Sequence, residues 1–429
     1  MMVASLTPCK ICELCEITSS KRIFAADYKS KGVPFYRGKE ISEKHRGNIN
    51  VSTELFIDRS KFEQIRAKFG APKAGDLLLT SVGTLGYPYV VDDGEEFYFK
   101  DGNLTWFRNF KNLNSRFLYY WLLSPQGKAE LKKCTIGSSQ SAYTIVLLKE
   151  MDIHLPDIFT QRKISSILSA YDDLIENNLR RIKILEEMAQ NLYREWFVKF
   201  RFPGYQHTRF TDSPMGQIPE GWAVREMNEI AEVIDCLHSK KPQHIDSGTG
   251  LLLQLCNIGD GGKIDLSDKF LIADDDYQKW TSRIEVQAGD CVITNVGRVG
   301  AVAQIPTGLK AAIGRNMTAV RPFAVGPTYL IEYLLSPHMI KEVQIKKDAG
   351  AIMDSLNVKG IVKLLIPVGP RPMMDLFEGS TRPIRTLIEC LTKKKTTLRR
   401  TRDLLLPRLV SGDVDVSELE ITLPEKADE

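Results

Sequence analysis

A long internal repeat is the feature of this sequence that most constrains its fold. The letters TSVGTLG at Thr80–Gly86 are followed 214 residues later by TNVGRVG at Thr294–Gly300. Five matches recur in the same order, at offsets between 211 and 216 residues. The repeat is too long for a solenoid, whose units have about 20 to 50 residues. We therefore expect two copies of a whole domain, each followed by a helix and related by a pseudo-two-fold axis.

The other matches extend the repeat over most of the chain. Glu13–Ile17 resembles Glu229–Val233, Ala74–Asp76 recurs as Ala288–Asp290, Leu122–Pro125 recurs as Leu334–Pro337, and Leu192–Val198 corresponds to Leu404–Val410. The predicted organisation is a first domain over 1–156, a first spacer helix over 157–202, a second domain over 203–367, a second spacer helix over 368–412 and a tail over 413–429.

Composition excludes several classes of protein. Hydrophobic residues make up 43% and charged residues 26% of the chain, as in ordinary globular proteins. No apolar run is long enough to cross a bilayer, and Met1–Lys10 lacks the pattern of a signal peptide. The net charge of +4 neither requires nor excludes nucleic acid, because a DNA-binding protein needs a basic face rather than a basic total. We expect a cytoplasmic protein without a membrane partner.

The cysteines Cys9, Cys12 and Cys15 form a C-x-x-C-x-x-C cluster. Zinc and iron–sulfur centres normally need four ligands, and nothing in the sequence points to His45 or Cys134 as the fourth. Most free cysteines behave as small buried apolar residues. We therefore predict no metal site.

Each copy begins with a mixed α and β pattern. Asp76–Thr80 and Asp290–Thr294 are short apolar runs before a glycine turn, which is typical of buried strands. Phe117–Leu123 and Tyr329–Leu335 are predicted helices that end before Ser-Pro. The predicted fold class is α+β, with two mixed α/β domains separated by an antiparallel coiled coil of two long helices.

A heptad pattern follows Pro156 and predicts one helix of about 40 residues and about 60 Å. Asn178 occupies one place on its apolar seam, either as a polar residue that sets the register or as a solvated residue on a slightly rotated helix. The apolar places of this seam include Ile164, Leu168, Ile175, Ile182, Leu185 and Leu192.

The second copy supplies a partner helix with a weaker seam. We predict that it starts with Thr381 as N-cap and Pro383 in the first turn, and that Pro407 kinks or ends it. Two helices with a folded domain between them in the chain can pair antiparallel. The seam of the second helix is weaker because Lys395 and Arg402 occupy two of its places. The apolar places of the second helix are Ile384, Ile388, Leu391, Leu398, Leu405 and Leu409.

This arrangement resembles the specificity subunits of type I restriction–modification systems, over almost the whole chain. Gly75–Gly86 and Gly289–Gly300 are similar to the family's signature of Gly-Asp, an apolar strand, Ser/Thr and Gly-x-x-Gly. Ile153–Ile164 resembles the family's start of the spacer helix, although Thr160 replaces the usual Glu. The corresponding segment of the second copy, Glu378–Ile384, keeps little of that pattern.

The resemblance implies a non-catalytic DNA-binding protein without a cofactor of its own. Each domain would read one half of a bipartite target in double-stranded DNA, and the helix pair would set the gap between the halves. Two modification subunits would methylate adenine with S-adenosylmethionine. Restriction subunits, which use ATP and Mg²⁺, would cut unmethylated DNA.

Candidate DNA contacts lie in and after the glycine turns. Gly83, Gly86, Gly297 and Gly300 are interpreted as structural, because glycine allows tight turns. Arg298 is the strongest single candidate, as a phosphate anchor or a bidentate reader of guanine, although a merely solvated arginine fits equally well. The other turn candidates are Ser81, Thr84 and Asn295.

A polar loop follows a basic pair in the first copy. Ser138 and Gln140 are candidate base contacts, and Gln suits adenine. The basic pairs of both copies are predicted phosphate anchors, with a solvated face as the alternative. These pairs are Lys132 with Lys133 and Lys346 with Lys347.

Two other functions compete with DNA reading. An enzyme is disfavoured, because the motifs for amino-methyl transfer and S-adenosylmethionine are missing and Gly259–Lys263 lacks Walker A spacing. A duplicated coiled-coil adaptor that binds only protein remains the alternative, and salt-dependent DNA binding distinguishes it.

Overall fold

The structure is a computed structural model that describes residues 6–47, 51–137, 141–347 and 354–421. The chain forms two compact units. Unit 1 contains Met1–Asn177 and Lys394–Glu429, and unit 2 contains Asn178–Lys393.

The domain of unit 1 alternates short strands and short helices. Its strands are β1 (Thr7–Lys10), β2 (Glu16–Thr18), β3 (Tyr28–Lys29), β4 (Val33–Tyr36), β5 (Phe56–Ile57), β6 (Leu77–Thr80), β7 (Pro88–Val90), β8 (Tyr98–Phe99), β9 (Leu104–Arg108), β10 (Thr135–Ile136), β11 (Ala142–Tyr143) and β12 (Asp152–Leu155). Its helices are α1 (Ile11–Leu14), α2 (Gly38–His45), α3 (Arg59–Phe69), α4 (Ser115–Leu123), α5 (Pro125–Lys133) and α6 (Ile145–Lys149).

Two four-stranded sheets organise this domain. One has the order β2-β9-β6-β7, and the other has the order β3-β5-β4-β8, in which β4 and β8 are parallel. All four residues of β6 are buried, as its apolar run predicts. Strand β1 pairs with β12, so that the start and the end of the domain meet.

The long helix α7 (Ile158–Tyr193) follows β12, and five residues of π-helix continue it over Arg194–Val198. The strands of unit 2 are β13 (Phe210–Ser213), β14 (Gly216–Pro219), β15 (Ala223–Glu226), β16 (Ala231–Asp235), β17 (Gly250–Leu253), β18 (Leu271–Ile272), β19 (Cys291–Thr294), β20 (Val302–Gln304), β21 (Ala312–Ile313), β22 (Met317–Pro322) and β23 (Leu365–Val368). Its shorter helices are α8 (Asp274–Trp280), α9 (Pro327–Leu334), α10 (Pro337–Lys346) and α11 (Val358–Val362), and α12 (Arg371–Val410) is the second long helix.

The domain of unit 2 repeats the architecture of the first. Its four-stranded sheet has the order β16-β22-β19-β20, which matches β2-β9-β6-β7 strand by strand. Strands β17 and β21 are parallel, like β4 and β8. Strand β15 pairs with β23, like β1 with β12. The predicted class of mixed α and β structure with two long helices is confirmed, and the duplication extends to the hydrogen-bond pattern.

Helix α12 corrects the expectations about where the second spacer helix begins and ends. It begins at Arg371, so Thr381 is not its N-cap and Pro383 lies beyond its first turn. It continues to Val410, so Pro407 does not end it. Pro372 takes the first-turn position, where a missing N–H costs nothing. The residues before Pro383 stay helical because their apolar side chains, such as fully buried Phe377, belong to the core of unit 2.

Within unit 1, the first part of α7 packs against the last part of α12. Ile164 and Leu168 share the core of the domain with Leu406 and Leu409. Farther along α7, an oxygen of Asp172 lies 2.5 Å from Nη1 of Arg402. From one contact to the next, the residue numbers increase along α7 and decrease along α12. These two segments are therefore antiparallel.

Within unit 2, the remaining parts of the two helices also pair antiparallel. Ile182 packs with Ile388 and Leu391, whereas Tyr193, later in α7, contacts Phe377, earlier in α12. Leu185 is half-buried against Ile182, Ile388 and Leu391. Leu192 is half-buried against the core cluster of unit 2 that contains Tyr193 and Phe377. The predicted seam residues Ile175, Leu398 and Leu405 are buried, half-buried and half-buried, respectively.

Asn178 is 4% exposed, so the interpretation as a solvated asparagine is wrong. Its Nδ2 has no hydrogen-bond partner among the residues that the structure describes. A buried amide without a partner is costly, which agrees with a polar residue that specifies register at the expense of stability.

One polar residue near the start of each long helix binds the amino end of a short helix in its own unit. Oε1 of Gln161 accepts a hydrogen bond from the N–H of Asn114, 2.9 Å away, just before α4. Glu378 accepts from the N–H groups of Thr328 and Tyr329, at 3.3 and 3.1 Å, in the first turn of α9. The first amides of a helix lack intrahelical partners, and a carboxylate there is favourable. Glu378 thus takes the place of Gln161.

Candidate nucleic-acid interface

The repeated signature forms the same turn in both units. In unit 1, the N–H of Gly86 donates to the carbonyl of Thr80 at 2.9 Å, and Oγ1 of Thr80 accepts from the N–H of Tyr87. In unit 2, Gly300 and Thr294 repeat this bond at 2.9 Å. All four turn glycines have a positive φ: 81° at Gly83, 79° at Gly86, 76° at Gly297 and 77° at Gly300. Other residues rarely adopt this backbone, so the glycines shape the turn.

The Gly-Asp part of the signature has a structural role that the sequence does not reveal. A carboxylate oxygen of Asp76 accepts from the indole N–H of Trp106 at 2.9 Å and from the N–H of Lys73. Burial raises the pKa of Asp76 above its ordinary value. Asp290 makes the corresponding backbone bond and forms an ion pair with Arg321, at 2.6 Å. These carboxylates hold the strand from which each turn leaves.

Three other segments surround the turn of unit 1. The backbone N–H of Lys100 donates to the carbonyl oxygen of Tyr36 at 2.9 Å. The N–H of Ser81 donates to the carbonyl of Asn103 at 2.8 Å, and the N–H of Tyr143 donates to the carbonyl of Ser81 at 3.0 Å. We call residues 37–40, 81–86, 100–103 and 141–143 the first turn surface.

The same three backbone bonds occur in unit 2. The backbone N–H of Gly314 donates to the carbonyl oxygen of Leu253 at 2.8 Å. The N–H of Asn295 donates to the carbonyl of Asn316, and the N–H of Leu356 donates to the carbonyl of Asn295, both also at 2.8 Å. We call residues 254–257, 295–300, 314–316 and 354–356 the second turn surface. A cavity of about 360 Å³ adjoins it, and Gln254, Leu255, Arg315 and Asn316 are among its lining residues.

The predicted contacts of the first turn surface differ in accessibility. Ser81 is 2% exposed and its hydroxyl lies 2.7 Å from Oγ1 of Thr105, so it holds the turn rather than offering a group to a ligand. Thr84 is exposed at the tip of the turn. Ser138 and Gln140 lie outside the described residues.

On the second turn surface, the two predicted contacts are bonded within the protein. Nδ2 of Asn295 donates to the carbonyl of Leu356 at 2.7 Å, and this side chain repeats the structural role of Ser81. The guanidinium of Arg298 donates to the carbonyl of Ile258 at 2.8 Å and pairs with Asp260 at 2.5 Å. Because both charges of that pair are exposed, water and phosphate can compete for the arginine.

The basic pairs lie at the ends of equivalent helices, α5 and α10. The side chain of Lys132 is exposed and has no hydrogen bond or ion pair within the described residues, whereas Lys133 pairs with Glu130. Lys346 lies 3.6 Å from Glu342, and Lys347 lies 2.6 Å from Asp354. Their roles as phosphate anchors stay predictions.

The cysteine cluster does not assemble ligands. Cys15 is buried with its thiol toward the carbonyl of Ile11, and burial raises its pKa to about 12, whereas Cys12 is exposed. Over the described ranges, the only three potential metal ligands that lie within 4.8 Å of one another are Asp235, Cys236 and His238.

Arg315 is the candidate that sequence reasoning missed. It is exposed on the short connection between β21 and β22, beside the turn. A motif search does not find it, because only backbone pairing brings this connection to Asn295. No helix among the described residues is long and apolar enough to cross a membrane.

Known proteins are similar to this chain in sequence and in fold. A sequence model of the type I restriction modification DNA specificity domain matches residues 6–187. The type I restriction enzyme MjaIX specificity subunit of Methanocaldococcus jannaschii is 26% identical over 360 residues, which cover 80% of this chain and 79% of that protein. The MjaVIII specificity subunit of the same organism is 24% identical over 385 residues, 86% of each chain.

A solved structure has a similar fold over almost the whole chain. The crystal structure of a type I restriction–modification S subunit from M. genitalium has a TM-score of 0.60 and 16% identity, over 95% of this chain and 96% of that one. At that identity the likeness shows the fold alone. Over most of its length the chain, with its two copies of one domain and two long helices, is similar to the specificity subunits of type I restriction–modification systems.

Proposed function

We propose that each domain of this chain binds one half of a bipartite target in double-stranded DNA. The observation that carries the proposal is the duplicated turn surface, in which three equivalent backbone hydrogen bonds hold four segments together in each unit. Sequence is read by side chains that reach base edges, whereas a shared backbone positions them. One framework with two sets of exposed side chains suits a target with two different halves.

In this proposal the chain supplies sequence recognition, and its partners supply the chemistry. Two modification subunits use S-adenosylmethionine, and restriction subunits use ATP and Mg²⁺, while this chain binds none of these. The relatives carry the name of a subunit of a type I restriction enzyme, which supports assembly with such partners. We propose that this assembly is cytoplasmic.

Expression of this chain with its modification subunits is expected to place methyl-adenine in one split sequence with a fixed gap. Sequencing of the methylated genome gives that target. The purified complex should bind it at least about 10³-fold more tightly than a scrambled duplex at physiological salt. The logarithm of affinity should fall linearly with the logarithm of salt concentration, since cations of the protein replace counterions on phosphate.

A scrambled duplex of the same length and the modification subunits alone are the controls. If the complex formed without preference for any sequence, and with no dependence on salt, the chain would be an adaptor that binds only protein.

The two long helices are proposed to set the gap between the half-sites. One heptad inserted after Asn177 in α7 and one after Lys393 in α12 keeps the seam and adds about 10 Å of helix. Since base pairs are spaced about 3.4 Å apart, the methylated target should keep both halves and gain about three base pairs of gap.

Insertion of the heptad in α7 alone is the matched control, because it leaves the two seams unequal in length and should lower stability. An unchanged gap in the double insertion, with the protein folded and methylation intact, would remove the helices from this role.

A further inference from the structure

The two turn surfaces share a framework, and a shared framework cannot distinguish two half-sites. The glycines and the backbone bonds to Asn103 and Asn316 are the same in both units. Whatever tells one half-site from the other must therefore be a side chain that differs between equivalent positions and is free to reach a base.

One difference lies in the connection between β8 and β9 and its equivalent between β21 and β22. In unit 1 this connection is Lys100–Asn103, and Asp101 pairs with Arg22, with 2.8 Å between Oδ2 and Nε. In unit 2 it is Gly314–Asn316, which is one residue shorter, and Arg315 takes the place of Asp101 and Gly102. The charge at this point is thus reversed between the two surfaces.

Arg315 is also available for a ligand. It is exposed, and its guanidinium has no hydrogen bond or ion pair within the part of the chain that the structure describes. By contrast, Arg298 is held by Ile258 and Asp260, and Arg321 by Asp290. Binding of DNA by Arg315 therefore breaks no contact of the free protein.

The surroundings of Arg315 suit the edge of a base. The arginine lines the cavity of about 360 Å³ together with Gln254, Lys241 and Phe270. Gln254 is exposed in part, and within the described residues its Nε2 donates only two long bonds, at 3.2 and 3.4 Å, to the carbonyls of Leu253 and Leu252. Nζ of Lys241 lies 4.1 Å from the centre of the Phe270 ring, so a further cation lies at the same cavity.

We infer that Arg315 is a specificity-determining residue of unit 2, which binds the O6 and N7 edge of a guanine in one half of the target. Arginine matches these two acceptors with two parallel N–H donors, and this is the commonest specific contact between proteins and DNA. The inference rests on the proposed function. It assigns discrimination to the β21–β22 connection rather than to the repeated glycine turn.

The test compares variants of the full complex with modification subunits. Affinities are measured for the target and for duplexes with one base pair changed at each position of each half. Arg315→Ala is expected to lower discrimination about 10- to 100-fold at one guanine position of a single half-site. The profile of the other half-site should not change.

Two further variants separate base reading from charge. Arg225→Ala removes an exposed arginine on β15, which pairs with Glu229, and should leave all profiles unchanged. Arg315→Lys keeps the charge but loses the parallel donors, so discrimination should stay low.

If Arg315→Lys restored the wild-type profile, or if Arg315→Ala weakened binding uniformly over all duplexes, Arg315 would be a phosphate anchor and the inference would be overturned. A wild-type complex that discriminates, with an identical profile for Arg315→Ala, also overturns it while the proposed function stands. A wild-type complex that prefers no sequence overturns the proposed function itself.

Discussion

Replacement of Arg385 by alanine is expected to lower the free energy of unfolding of unit 2 by about 3 to 5 kcal/mol. Glu332 on α9 has no exposed side-chain surface, and Nε of Arg385 lies 2.5 Å from its carboxylate. Gln190 on α7 donates to the other carboxylate oxygen, also at 2.5 Å. Without the arginine, a buried negative charge keeps one neutral donor and no counter-charge, which is the costly outcome.

Arg382→Ala is the matched control on the same helix. That arginine is 65% exposed and contacts Glu378 at 3.4 Å, so its loss should change stability by less than about 1 kcal/mol. A double variant with leucine at both 332 and 385 removes both charges and should recover much of the loss. Chemical denaturation, with hydrogen exchange of peptides from α9, measures these differences. Equal stability of Arg385→Ala and Arg382→Ala would contradict the argument.

Replacement of Gly127 by alanine is expected to destabilise unit 1 by about 3 kcal/mol, the upper end of the usual cost of overpacking. Gly127 lies in the first turn of α5, where helix propensity alone favours alanine by about 1 kcal/mol. A Cβ at this place would lie 2.0 Å from the carbonyl oxygen of Trp121 and 2.7 Å from Cα of Leu122. Both atoms belong to the backbone of α4, so no side-chain rotation relieves the contact, and the sign of the effect reverses.

Gln126→Ala provides the control, because Gln126 is exposed in the same turn and its replacement should be neutral. Thermal unfolding and hydrogen exchange of peptides from α4 and α5 provide the measurement. A Gly127→Ala variant as stable as wild type would show that α4 and α5 lie farther apart than in the structure. The equivalent place in unit 2 holds the buried Met339, so this close approach is particular to unit 1.

The features predicted correctly depend on neighbours in sequence. A short continuous run of apolar residues predicts a strand that is covered on both faces. The runs of β6 and β19 are such strands, because all four residues of each are buried. The heptad spacing of Ile164, Leu168 and Ile182 predicts the buried seam of α7, because one face of a helix recurs at that period. Both patterns are local and survive divergence between the two copies.

The features that were missed depend on contacts between distant segments. Helix α12 begins ten residues before the predicted N-cap, at Arg371 rather than after Thr381, because Phe377 and Glu378 are buried against the domain. That burial outweighs the local cost of Pro383. Glu378 acquires its role from α9, about 50 residues earlier in the chain, where it accepts the N–H groups of Thr328 and Tyr329.

The candidate site divides in the same way. Sequence alone determined the duplication, the two glycine turns and the two long helices, because repeats, glycine positions and periodicity are properties of short stretches of chain. Only the tertiary structure decided which side chains reach the surface: it buries Ser81, occupies Arg298 with Asp260 and leaves Arg315 exposed beside the turn. Exposure and pairing depend on backbone hydrogen bonds between strands far apart in sequence, such as that from Asn295 to Asn316, and no local pattern encodes those partners.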